Sequence, residues 1–161
     1  MHYKKRLIAH LIKELEANYQ TALTAAKRAH STATDKANIA ENKYDTLGLE
    51  AAYLAEGQAK RAIECSAELV AIQNLPVVDY SPTDAIVVGT IVLLIDQDEK
   101  ALTLFLAPVA GGLKFVFEET TIVVITQSSP LGKSLLGQFV DDEFEFTAGE
   151  HKKLYRISQI D

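Results

Sequence analysis

The feature that most constrains the fold is the absence of glycine and proline from the first 47 residues. Apolar side chains recur there every three or four residues from Tyr3 to about His30, which places them along one side of an α-helix. At roughly 1.5 Å per residue such a helix would be about 42 Å long. Residues 31–34 have short side chains, three of them hydroxyls, that compete for backbone hydrogen bonds, so we expect the helix to end there.

A second helix is predicted from about Asn38 to Asn74, where Leu75 and Pro76 stop it, because proline cannot continue a helix. Two amphipathic helices of similar length joined by a short turn pack antiparallel, so we expect residues 1–75 to form a helical hairpin. Each apolar stripe is then covered by the other, and we expect a monomer. The predicted inward positions of the second helix follow a nearly seven-residue spacing: Tyr44, Leu47, Ala51, Leu54, Gln58, Ala62, Cys65, Leu69 and Ile72.

The pattern then changes to that of β-strands, after a polar segment at 76–84 that we interpret as a linker. Residues 85–161 are enough for a core of their own, and they predict an antiparallel sheet with one short helix, hence an α+β fold. Ser129 fits the N-cap of that helix, Pro130 its first position and Gly137 the residue just past its end. The predicted strands are Ile86–Ile95, Ala101–Ala107, Leu113–Phe117, Ile122–Thr126, Glu143–Thr147 and Lys152–Ile160.

Composition excludes several classes of protein. No apolar run approaches the roughly 18 residues that cross a bilayer, and the basic start at 1–6 is not followed by a signal-peptide pattern, so we expect a cytoplasmic protein without membrane contact. Cys65 is the only cysteine, and the four histidines are scattered, which argues against a disulfide framework or a zinc site. The basic side chains of the first helix, Lys4 among them, are expected on its solvent face.

Charge is unevenly distributed along the chain. Residues 1–74 hold 10 Lys and Arg against 9 Asp and Glu, whereas residues 75–161 hold 6 against 13. An acidic C-terminal part argues against direct nucleic-acid binding, which needs clustered cations to neutralise phosphates. A protein partner with a basic surface suits it better.

The combination of a long hairpin, a turn with acidic residues and a small sheet domain containing SPLGKSLLG at 129–137 resembles the bacterial GreA/GreB transcription elongation factors. The segment matches the family pattern Ser-Pro-x-(Ala/Gly)-(Arg/Lys)-x-Leu-(Leu/Ile)-Gly. In the hairpin, Glu41-Asn42 and Glu56-Gly57 match the start and middle of the family's second helix. The resemblance covers nearly the whole chain and implies a coiled-coil domain followed by an FKBP-like domain.

The function implied by the resemblance is assistance to RNA polymerase. Such factors dock their C-terminal domain at the rim of the secondary channel, and the hairpin enters it, near the 3′ end of the nascent RNA. Acidic side chains at the tip help to hold the second catalytic Mg²⁺ and a water, and the polymerase's own site then cleaves backtracked RNA. Carboxylates suit this role because Mg²⁺ prefers a few carboxylates and water. The chain would then have no complete active site and no cofactor of its own.

The predicted tip residues are Glu41, Asn38 and Asp35. The family carries Asp-x-x-Glu at the tip, and here the first acid is replaced by Asn38, a weaker Mg²⁺ ligand, while Glu41 is retained. Asp35, one helical turn earlier, could substitute. Asn38 with Glu41 three residues on is also the spacing of a helix capping box, which needs no catalytic role. An inhibitory or cleavage-deficient factor that competes for the channel therefore stays open.

Ser129, Pro130 and Leu131 are the predicted contacts with polymerase, since this corner docks in the family. Two alternatives of another class remain. An FKBP-like domain could be a peptidyl-prolyl isomerase, although fold alone does not carry function. The hairpin could also belong to an adaptor that binds another helix.

Overall fold

The computed structural model describes residues 2–35, 47–148 and 151–161. The chain divides into two compact units. We call Ile12–Val70 the hairpin unit, and Met1–Leu11 together with Ala71–Asp161 the sheet unit. No helix in the described ranges is long and apolar enough to cross a membrane.

The hairpin unit contains most of two helices, α1 (His2–Thr34) and α2 (Leu47–Gln73). They pack through small side chains, with Ala22, Ala62 and Cys65 buried and Tyr19 and Ala26 beside them. The predicted helical hairpin is confirmed on these residues. Alanine at the contact lets the two helix backbones approach closely.

The end of α1 is confirmed, and one detail of α2 differs from the expectation. α1 ends at Thr34, within the predicted segment 31–34, and the Thr32 and Thr34 hydroxyls donate to the carbonyls of Arg28 and His30 at 3.0 and 2.9 Å. A hydroxyl that donates to a carbonyl four residues earlier in its own helix does not compete with the helix for backbone hydrogen bonds. Leu54 was predicted to face α1 and is 58% exposed, whereas Ala55 is half-buried.

Besides the first residues of α1 and the last of α2, the described part of the sheet unit contains six strands and one short helix. In chain order they are β1 (Ile91–Asp96), β2 (Ala101–Ala107), β3 (Lys114–Phe117), β4 (Thr120–Thr126), α3 (Pro130–Leu135), β5 (Glu143–Ala148) and β6 (His151–Ile160). The spatial order is β3-β4-β2-β1-β6-β5. All neighbours pair antiparallel except β2 and β4, which are parallel with Thr103 opposite Ile122. The α+β class is confirmed, and the sheet is mostly rather than wholly antiparallel.

The first predicted strand is shorter than expected. It begins at Ile91 instead of Ile86, because Gly89 has a φ of +100° and turns the backbone out of the extended conformation. Ile86 is nevertheless buried, and it is held by Gln138 and Gly137 through two backbone hydrogen bonds of 2.9 Å.

The sheet is covered on both faces. One side packs Val92, Leu94, Leu104, Leu106 and Ile157 against Leu135 of α3. The aromatic side chains of β3 meet the first turns of α1 instead. Tyr3 lies 5.4 Å from Phe117 between ring centroids, and His10 lies 5.5 Å from both Phe115 and Phe117. The start of α1 is thus part of the sheet unit's core.

Candidate functional site

The predicted catalytic residues lie at or beyond the end of α1. Asp35 is the last described residue before the predicted turn, and it is exposed, with its amide donating to the Thr32 carbonyl at 3.4 Å. Asn38 and Glu41 lie outside the described residues. Their role at the tip stays a prediction. Within the described ranges, no three His, Cys, Asp or Glu side chains come close enough to hold a metal ion.

The described part of the hairpin nearest the turn contains an open groove of about 630 Å³ between α1 and α2. Its walls are largely small side chains, with Lys27 and His30 of α1 and Glu56 of α2 supplying the charged or titratable groups. Lys27, His30 and Glu56 are all exposed. The two helices therefore present both a cation and a carboxylate near the end of α1.

The predicted docking corner is built as the sequence predicts. Ser129 caps α3: its Oγ accepts from the Gly132 amide at 3.1 Å and donates to the Thr126 carbonyl at 2.7 Å. Pro130 is the first helical residue and is exposed, and Gly137 follows the helix with a φ of +79°. The capping role of Ser129 is confirmed.

The glycine of the motif has a packing reason. A Cβ at Gly132 would lie 2.0 Å from the carbonyl oxygen of Thr126, a backbone atom that cannot move aside cheaply. Leu135 is fully buried, and Leu131 packs partly against the same core. Much of the SPLGKSLLG pattern thus holds α3 against the sheet, and Pro130 is left as the exposed apolar residue of the three predicted contacts.

An apolar patch beside this corner was missed by the sequence reasoning. Val87, Leu136 and Phe139 are each between 36% and 45% exposed. Each of the three is the chain neighbour of a residue in the two backbone hydrogen bonds that join Ile86 to residues 137 and 138. The only signal in the sequence was Phe139, a large apolar residue outside the predicted strands.

Carboxylates follow the patch directly in sequence. Asp142 Oδ2 accepts from the Phe139 amide at 2.8 Å, and Asp141 pairs with Arg156 at 3.6 Å. Both aspartates stand within three residues of Phe139 along the chain. Apolar side chains next to carboxylates suit a partner surface that is apolar and basic.

Lys4 was expected in solvent and is fully buried. Its Nζ donates to the Val78 carbonyl at 2.6 Å and lies 4.3 Å from the ring centroid of Tyr80. Helical spacing explains the position, since Lys4 shares a face with Leu7, Ile8 and Leu11. Burial lowers the pKa of Lys4 from its usual 10.5, and the carboxylates of Asp161 and Asp79 oppose that shift. The segment predicted as a linker is therefore fastened to α1.

Comparison with known proteins gives relatives of one kind. No protein-family model matches the chain. The GreA transcription elongation factor of Rhodospirillum rubrum is 26% identical over 155 residues, which cover 95% of this chain and 92% of that protein. GreA of Novosphingobium aromaticivorans is 35% identical over 79 residues, 48% of this chain, and that match spans about half of the relative, 46% of its length.

Among solved structures, the GreA factor homolog 1 (Gfh1) of Thermus thermophilus aligns with 98% of this chain and 94% of its own, at 18% identity and a TM-score of 0.40. The match with the Rhodospirillum protein runs through both the hairpin and the sheet residues. The relatives of known sequence confirm the resemblance of this chain to the GreA/GreB transcription elongation factors.

Proposed function

We propose that the chain is a transcription elongation factor that binds RNA polymerase at its secondary channel and acts on backtracked complexes. The observation that carries this is the similarity to a GreA elongation factor over 95% of the chain, hairpin and sheet residues together. A relative that shared only the sheet residues would suggest a shared module and no more.

In this proposal the sheet unit docks on polymerase and the hairpin reaches into the channel. The exposed corner at Pro130, with Val87, Leu136 and Phe139 beside it, offers an apolar contact area near carboxylates. Glu41 acts at the tip, with Asp35 or Asn38 as the second oxygen donor, and helps to hold a Mg²⁺ that belongs to the polymerase site. The chain then assists an active site without having one of its own.

A second candidate is a factor that occupies the channel without promoting cleavage. The observation that favours it is Asn38, which stands where the family has an aspartate. A neutral amide is a poorer ligand for a hard cation than a carboxylate. The two candidates share the partner and the docking surface, and differ only in what the tip does.

The deciding experiment measures RNA cleavage in backtracked polymerase complexes with the wild type, Glu41→Ala and Asn38→Asp. Cleavage that is accelerated by the wild type and lost in Glu41→Ala supports a cleavage factor. Cleavage that is slowed by the wild type and restored by Asn38→Asp supports the inhibitor. No effect in any of the three, together with no binding to polymerase, would contradict both.

A further inference from the structure

The face of α2 that points away from α1 is unusually apolar for a solvent surface. Leu49 is 55% exposed, Tyr53 65% and Ile63 70%. They lie on one side of the helix, because Tyr53 and Ile63, four and fourteen positions after Leu49, each lie within about 40° of it at 3.6 residues per turn. Scattered exposed apolar residues are ordinary, but a row of them on one helix face marks a contact surface.

This face has the spacing of a coiled-coil seam. Its positions alternate steps of four and three residues, the separation of successive core positions in a heptad. A second seam with the same steps, Ala51, Ala55, Gln58, Ala62 and Cys65, faces α1 within the hairpin unit. α2 thus carries two seams, one covered and one uncovered. The uncovered seam consists of Leu49, Tyr53, Glu56, Lys60, Ile63, Ala67 and Val70. Glu56 is exposed at the edge of this seam and also lines the groove beside α1.

The charges in the uncovered seam select one arrangement. In an antiparallel pair with a twofold axis beside Gln58, Glu56 of one helix faces Lys60 of the other, and the pair occurs twice by symmetry. The same axis places Tyr53 opposite Ile63. All of these pairings join unlike heptad positions, as antiparallel coiled coils require.

The neighbouring registers are worse. Moving the axis by half a heptad in one direction places Lys60 opposite Ile63, and in the other direction opposite Leu49. Either shift buries a cation against an aliphatic side chain with no counter-ion, which is costly. Among the described residues, neither Glu56 nor Lys60 has an ion-pair partner within its own chain. A polar pair within an apolar seam commonly fixes register in this way.

We propose that the uncovered face of α2 binds a second copy of this chain as an antiparallel, twofold-symmetric helix pair centred beside Gln58. This dimer is an alternative to the monomer expected from the sequence. It rests on a different observation from the proposed action on polymerase, and the dimer excludes any other partner that needs the same face of α2.

The test uses charge reversal in the full chain, followed by sedimentation equilibrium over a range of concentrations. The wild type should move from 17.7 kDa towards twice that mass as concentration rises. Glu56→Lys and Lys60→Glu should each stay monomeric at concentrations where the wild type is paired, since each places like charges opposite one another. An equimolar mixture of the two variants should regain the dimer, because opposite charges then face at both positions.

Ile63→Glu is a second substitution designed to disrupt the dimer, and Leu54→Glu is its matched control. Leu54 is 58% exposed but lies about 100° around the helix from Tyr53, outside the seam. Ile63→Glu should weaken association at least about tenfold, roughly 1.4 kcal/mol, and Leu54→Glu should leave it unchanged. Both sites are exposed, so circular dichroism should show wild-type helicity. A wild type that stays monomeric, a dimer insensitive to Ile63→Glu, or a mixture that does not pair would each overturn the proposal.

Discussion

Lys153 Nζ of β6 lies 2.8 Å from Asp96 Oδ2 at the end of β1. The other oxygen of Asp96, Oδ1, accepts from the amides of Asp98 and Lys100 at 2.9 Å each. One carboxylate therefore closes the β1–β2 turn and ties it to the neighbouring strand. The Lys153 hydrogen bond, followed by those from Lys100 and Asp98, lowers the pKa of Asp96 from 3.8 to about 2.

The first prediction concerns acid stability. A carboxyl whose folded pKa is depressed contributes stability above its unfolded pKa, and that stability is lost as pH falls through the folded value. Asp96→Asn should therefore lower the free energy of unfolding at pH 7, and the difference from wild type should shrink between about pH 4 and pH 2. Urea unfolding at a series of pH values measures it. Asp98→Asn is the control, and a difference that stays constant down to pH 2 would contradict the role of Asp96.

The second prediction tests the close approach at α3. Gly132→Ala places a methyl group against the Thr126 carbonyl and should destabilise the chain by about 1–3 kcal/mol. Gly57→Ala is the matched change, since a Cβ there meets nothing within 4 Å and removes a glycine from the interior of α2. It should stabilise by about 0.5–1 kcal/mol. Chemical denaturation measures the free energy of unfolding of both variants. Equal changes in Gly132→Ala and Gly57→Ala would contradict the close packing at Gly132.

The third prediction separates capping from docking at the corner. Ser129→Ala removes the N-cap of α3 and should cost about 1 kcal/mol. Ser134→Ala removes only an exposed hydroxyl that donates to the Pro130 carbonyl, and should cost less. Pro130→Ala and Phe139→Ser should leave stability nearly unchanged and weaken binding to polymerase. The free energy of unfolding and the affinity for polymerase, both measured on the same four variants, distinguish the two roles. Affinity that falls only in proportion to stability would argue against a docking surface.

The fourth prediction concerns the turn between β3 and β4. Glu118 and Glu119 both have positive φ, 47° and 64°, a conformation that costs a residue with a Cβ about 1–2 kcal/mol. Glu119→Gly should therefore raise the free energy of unfolding by about 1 kcal/mol. Glu118→Gly should gain less, because Glu118 also pairs with Arg6 at 2.8 Å. Thermal unfolding of the two variants compares them, and a loss in Glu119→Gly would show that the turn is not strained.

The fifth prediction follows from the buried lysine. Lys4→Met keeps most of the side-chain volume but removes the donor to the Val78 carbonyl. Amides of residues 78–80 should then exchange with solvent faster, since the segment loses its fastening to α1. Lys5→Met, at an exposed position, should leave their exchange unchanged. If the amides of residues 78–80 exchange at the same rate in both variants, the hydrogen bond from Lys4 to the Val78 carbonyl does not hold this segment.

The features predicted correctly from the sequence are those that depend on interactions between residues close together in the chain. β2 was predicted with its observed ends because it is bounded by a turn on each side, and the cap of α3 followed from Ser129, Pro130 and Gly137. Asp35 directly follows the last residue of α1, and its role at the tip stays a prediction. Asn38 and Glu41 depend on the family resemblance and lie outside the described residues.

The errors arise where a distant contact decides. Lys4 was assigned to solvent from its charge, although helical spacing places it on the buried face of α1. The partners that accept its ammonium group, the Val78 carbonyl and the Tyr80 ring, are distant in sequence. Leu54 was placed on the seam although the four-three steps through Ala51 and Gln58 require Ala55. The sequences of β2 and β4 do not reveal that the two strands pair in parallel. The alternation of apolar and polar residues along a strand does not depend on the direction of its neighbour.

The membership of the first eleven residues in the sheet unit has a practical consequence. A fragment cut at the boundary predicted from the sequence, beginning at residue 85, would lack Tyr3 and His10, which cover Phe117 and Phe115. Those rings would be left bare on the fragment, which would aggregate on expression instead of serving as a free docking domain. A soluble version needs residues 1–11 to be kept with residues 71–161, the two segments that form the sheet unit.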